Sequence, residues 1–75
     1  MRENLRRARK AQGMSQRQVA VYLRVDKTYY YKIETGRAAG GVQMWDMLED
    51  LFGVPQTVLR EESHSPGGAG GPAKK

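Results

Sequence analysis

Residues 15–36 read SQRQVAVYLRVDKTYYYKIETG, and their spacing decides what fold the chain can adopt. Ser15 is a capping residue, and Gln18 three positions on completes a capping box. Val19, Ala20 and Leu23 then share one face of a helix from about Gln16 to Leu23. Arg24 breaks the pattern, Val25 is apolar, and Asp26 can cap a second helix that ends at Thr35, with Gly36 just beyond. On this second helix Tyr29, Tyr30 and Ile33 lie on one side, with Tyr30 and Ile33 nearest its centre. Lys27, Thr28, Tyr31 and Lys32 lie on the other.

The inner side of that helix is mostly core, with Tyr29 at its border. The outer side offers two cations, a hydroxyl and one tyrosine, a surface suited to nucleic acid. The connection Leu23-Arg24-Val25 is tight, and two helices joined by so short a turn form a helix-turn-helix unit, whose second helix can enter a major groove. Geometry alone leaves this open, because many small helical proteins contain such a pair.

The flanking sequence continues the helical pattern. From about Arg2 to Gln12, Leu5 and Ala8 share a face, and Gly13 suits the left-handed residue that ends a helix. Val42, Trp45, Leu48 and Phe52 form another apolar stripe up to Gly53, with Trp45 in its middle and Met44 and Met47 also read as core. Pro55 at a first helical position opens a last short helix holding Val58 and Leu59. Five helices and no credible strand predict an all-α domain over about residues 1–62. The remainder, SHSPGGAGGPAKK, has too little apolar surface to offset ordering and reads as a flexible tail in which His64 is inert.

Composition narrows the function. The chain has 75 residues and no cysteine, so neither a disulfide nor a thiolate metal site is expected. No apolar run approaches the roughly 18 residues of a membrane span, and MRENLRRARK has no secretory core; the chain reads as soluble and intracellular. Residues 1–37 carry ten Lys/Arg against Glu3, Asp26 and Glu34, a balance of +7. Residues 38–62 carry Arg60 against Asp46, Glu49, Asp50, Glu61 and Glu62, a balance of −4. A basic half joined to an acidic half suggests one face built for a polyanion; ordinary solvated cations are the bland alternative. An enzyme is not expected, since the single histidine is in the tail and no paired carboxylates oppose a nucleophile. A membrane-surface helix at residues 2–12 would have only Leu5 and Ala8 as its apolar face, too little for anchoring.

The run NLRRARKAQGMSQRQVAVYLRVDKTYYYKIETGR resembles the helix-turn-helix family of phage lambda-type repressors and Cro. The shared features are Leu5, Arg9-Lys10, Gly13-Met14-Ser15-Gln16, Val19-Ala20, Leu23, Val25 and Ile33-Glu34 followed by Gly36, with Leu48 and Phe52-Gly53-Val54 later. The resemblance implies a compact five-helix domain that binds double-stranded DNA as a regulator, without a cofactor or metal. It implies base contacts from Lys27, Thr28, Tyr31 and Lys32, and backbone phosphate contacts from Gln16, Arg17, Arg24, Tyr29 and Arg37. It further implies a partly buried ion pair between Arg9 and Glu34, and a homodimer on a pseudo-palindromic operator. Because so short a last helix has little left to cover, part of the surface of Val54, Val58 and Leu59 is expected to meet the second copy. A cytoplasmic protein encoded by a bacterium, phage or plasmid is the matching source. An antitoxin or antirepressor, binding a protein through its fourth and fifth helices, is the rival reading of the same fold.

Two positions depart from the family pattern. Arg24 stands where a left-handed glycine is usual, at a cost of roughly 1 kcal/mol. Pro55 replaces a capping serine. The segment from Ala38 to Gly41 is expected to form a mobile loop near the DNA backbone.

Overall fold

The computed structural model describes residues 1–62; the expectations for the tail and for His64 fall outside the described residues. Five helices, and no strand among the described residues, follow one another: α1 Glu3–Ala11, α2 Gln16–Leu23, α3 Lys27–Thr35, α4 Val42–Phe52 and α5 Gln56–Leu59. The fold is all-α, as expected from the sequence.

Each boundary of the central pair has a local cause. Ser15 accepts the amide of Gln18 at 3.1 Å, and the Gln18 side chain returns a bond to the Ser15 amide at 2.8 Å, so both halves of the capping box form. Asp26 accepts the Thr28 amide at 2.8 Å and starts α3. Helix α2 ends on Arg24 at φ 61°, the only described non-glycine residue in the left-handed region. Helix α3 ends on Gly36 at φ 86°, where lack of a Cβ removes the strain. The result packs α2 against α3 across a three-residue turn.

The core lies between that pair and the other three helices. Leu5, Val19, Tyr30, Ile33, Leu48 and Leu59 are fully buried, and Trp45 is nearly so. Full burial of side chains of this size contributes about 1.5–3 kcal/mol each before chain entropy is counted. In a domain this short, few of them can be spared.

The structure corrects four expectations at single residues and one for a loop. Arg2 is not helical; it forms the N-cap of α1 at φ −88°, ψ 83°, with its side chain buried beneath the fold. Val42 leaves the apolar stripe and is 75% exposed, while Met44, two positions on, takes an inward position at 9% exposed. Pro55 precedes α5 as its N-cap, at ψ 136°, and its carbonyl accepts the amides of Val58 and Leu59. Leu59 is wholly interior, so it is not a surface for a second copy.

The segment from Ala38 to Gly41 is likewise pinned rather than free. The Trp45 indole donates to the Ala39 carbonyl at 2.9 Å. Gly40, at φ 77°, lies so close to α4 that a Cβ there would come within 2.8 Å of the indole nitrogen.

Candidate nucleic-acid interface

Helix α3 divides as its periodicity requires. Tyr30 and Ile33 are fully buried, while Lys27, Thr28, Tyr31 and Lys32 are exposed. Tyr29 and Tyr31 are 38% and 45% exposed, so the three consecutive tyrosines split into one interior and two surface residues.

The start of α2 lies beside the start of α3. Gln16, Lys27, Thr28 and Tyr31 line one shallow hollow, and Arg9, Ser15, Gln16, Arg17 and Lys27 line the next. Gln16 and Lys27 are common to both, which makes them the seam between the two helices. Both helix N-termini meet here, each with a positive dipole end that favours an anion.

The other sequence-derived positions lie apart from this seam. Arg24 is exposed at the far end of α2, on a third hollow formed with Tyr22, Val25, Gln43, Met44 and Met47. Arg37 is exposed just past α3, and Lys32 and Tyr29 border neither of the first two hollows.

Beneath the seam is a buried polar cluster centred on Glu34. Its carboxylate accepts from Arg9 Nε at 2.8 Å and Nη2 at 3.1 Å, from Gln16 Nε2 at 3.1 Å and from the Tyr30 hydroxyl at 2.9 Å. The carboxylate is nearly inaccessible, and no buried side-chain polar atom among the described residues lacks a partner. Burial opposes the charge on Glu34, but the bonds from Arg9, Gln16 and Tyr30 outweigh it and hold its pKa below the ordinary value. Burial, with the adjacent Glu34 charge, pushes the Tyr30 phenol far above its usual range. The hydrogen bond to Glu34 raises the Arg9 pKa against the effect of burial. All three groups therefore keep fixed protonation states near neutral pH.

The cluster has a consequence at the surface. A glutamine amide has two N–H donors, and Gln16 commits one to Glu34. The second remains for an outside acceptor, so a group bound at the seam would be held by a side chain already anchored to α3.

Among known proteins, the chain matches a family described as "Helix-turn-helix domain" over residues 1–62. The chain belongs to this family. That helix-turn-helix family is related to the Cro and C1 type of regulators and fits the resemblance seen in residues 4–37. The protein is a helix-turn-helix domain, of a DNA-binding family whose members are typically regulators. No curated protein and no solved structure gave a match. No described helix is long and apolar enough to cross a membrane, and no described group of His, Cys, Asp or Glu could hold a metal.

One residue of the helix-turn-helix domain was missed from sequence. Arg2 is only 6% exposed, and its guanidinium lies 5.1 Å from the centre of the Trp45 ring. Arg60 approaches the same ring at 5.9 Å. The available signal was its position three residues before Leu5, a spacing that reads as core-directed only if an arginine is allowed there.

Proposed function

We propose that the protein is a sequence-specific regulator of transcription that presents α3 to the major groove of duplex DNA and acts as a repressor. The observation that carries this reading is the split of α3, with Lys27, Thr28, Tyr31 and Lys32 exposed directly opposite the buried Tyr30 and Ile33. Lysines donate to guanine O6 or N7, and threonine and tyrosine offer hydroxyls and apolar surface to base edges and thymine methyls. Gln16, Arg17, Arg24, Tyr29 and Arg37 take backbone phosphates, which supply affinity and register without reading sequence.

In this reading two copies bind a pseudo-palindromic site with α3 helices about 34 Å apart. Val54 and Val58, each only partly buried at the end of the domain, are the apolar surface for the second copy. Residues 1–62 form the DNA-binding domain, and the source is a bacterial, phage or plasmid gene expressed in the cytoplasm. Repression needs nothing beyond tight occupation of a site that polymerase must use.

The test is selection of bound duplexes from a random pool, followed by affinity against salt. Three arginines per protomer on phosphates, doubled in a dimer, give a log–log slope of about −5. A flat salt response, or a pool without enrichment, would remove the reading.

A second reading has one specific observation behind it. Val21 and Tyr22 are 68% and 42% exposed, and Tyr22 lines the hollow bordered by Met44 and Met47. Such apolar exposure suits a protein partner, as in an antitoxin or antirepressor. Lys27→Ala and Lys32→Ala separate the two readings, because they weaken DNA binding and spare protein binding.

A further inference from the structure

The carbonyl end of α3 is closed by the N-terminus of the chain. The last carbonyls of any helix lack partners within it. Here Lys32 accepts the amides of Arg37 at 2.8 Å and Ala38 at 3.1 Å. The Ile33 carbonyl already accepts the Gly36 amide at 3.2 Å; further donors to it and to the Glu34 carbonyl come from Arg2. Its backbone amide donates to the Glu34 carbonyl at 2.9 Å, and its Nη1 donates to the Ile33 carbonyl.

The same guanidinium continues to the α3–α4 loop and to the end of α5. Nη1 also donates to the Ala38 carbonyl at 2.9 Å, and Nε to the Arg60 carbonyl at 3.2 Å. Nη2 lies 3.6 Å from the Glu62 carboxylate, and the plane is stacked near Trp45. A cation here also complements the negative end of the α3 dipole. Arg37 is the exposed residue between Gly36 and Ala38, so the backbone that carries it is held on both sides by partners of Arg2.

We propose that Arg2 is a positioning residue for DNA binding: buried and out of reach of DNA, it fixes the backbone on which Arg37 meets a phosphate. This rests on the proposed reading of α3 and Arg37. The guanidinium fork is what the role requires, because one group must reach Ile33, Ala38 and Arg60 at once. Lysine carries its three donors on one nitrogen, which could serve the Ile33 and Ala38 carbonyls that Nη1 serves but not Arg60 as well.

A double-mutant cycle on the full 75-residue chain tests the assignment. Arg2→Met keeps an apolar stem beside Trp45 and removes every side-chain donor; Arg2→Lys keeps the charge without the fork. At a temperature where circular dichroism shows all variants fully helical, Arg2→Met should weaken binding to the selected duplex about tenfold, as expected for coupled neighbours. In an Arg37→Ala background the same change should cost less than about twofold, and Arg2→Lys should fall between. Leu59→Val, an interior change that lowers melting temperature, should leave affinity unaltered. Equal costs in both backgrounds, no cost at all, or an equal loss from Leu59→Val would each overturn the proposal.

Amide hydrogen exchange separates this failure from failure of the DNA reading. Arg2→Met should speed exchange at Gly36, Arg37 and Ala38 selectively, with α2 unaffected. If the wild-type chain enriches no duplex, the DNA reading fails and exchange alone decides; unchanged exchange at these three amides overturns the positioning role.

Discussion

Arg9 grips the carboxylate of Glu34 through two hydrogen bonds, 2.8 Å from Nε and 3.1 Å from Nη2, and so ties α1 to the end of α3. Arg6, one turn earlier, meets Glu3 only at 3.4 Å and at the surface. Removing one partner of a buried pair leaves the other charge without compensation, at about 3–5 kcal/mol, whereas exposed pairs contribute about 0–1 kcal/mol. Arg9→Ala should therefore lower the melting temperature far more than Arg6→Ala. Equal melting temperatures would show that Gln16 and Tyr30 suffice for Glu34.

The pH dependence follows from the same carboxylate. The folded pKa of Glu34 lies below its ordinary value of 4.5, so the folded state binds fewer protons than the unfolded one in that range. Its stabilisation is complete above the unfolded value and disappears as pH falls through the folded one. Thermal melts from pH 7 to pH 2 should show a decline beginning below about pH 5, and Glu34→Gln should flatten part of it. A parallel decline in both proteins would place the acid sensitivity elsewhere.

Arg24 opposes stability to function. Its φ of 61° strains a side chain that makes no hydrogen bond within the described residues. Arg24→Gly should raise stability by up to about 1 kcal/mol, partly offset by the freedom glycine gives the unfolded chain. If Arg24 meets a phosphate, the same variant should bind the selected duplex more weakly, with the salt slope reduced by about one per protomer. A more stable protein with an unchanged slope would make Arg24 a bystander.

The exposed lysines should behave in the opposite way. Lys27→Ala and Lys32→Ala remove no packing and should alter stability by less than about 0.5 kcal/mol. Their loss of affinity should differ among sequences, greatest for the preferred duplex, because a base contact carries about 1–3 kcal/mol of discrimination. Uniform weakening on all duplexes would assign them to the backbone.

Gly40 and Gly41 make a paired test of the α3–α4 segment. Alanine at Gly40 meets Met44 at 2.5 Å and the Trp45 indole nitrogen at 2.8 Å, with φ at 77°; alanine at Gly41 meets nothing within 4 Å. Gly40→Ala should cost about 1–3 kcal/mol and shift Trp45 fluorescence, while Gly41→Ala stays close to wild type. Equal melts would mean that the segment yields freely.

The sequence by itself determined the helices, most of their caps and the two faces of α3. Those features depend on residues no more than four positions apart: Ser15 with Gln18, Asp26 with Thr28, and Tyr30 with Ile33. It also supplied both partners of the Arg9–Glu34 pair, though through family resemblance rather than through periodicity. Tertiary structure alone decided that four donors converge on one carboxylate, that Leu59 is interior while Val42 is bare, and that Arg2 runs under Trp45 to close α3. Each of these turns on which distant segments meet, and a helix-forming pattern specifies the face a residue takes without specifying what covers it.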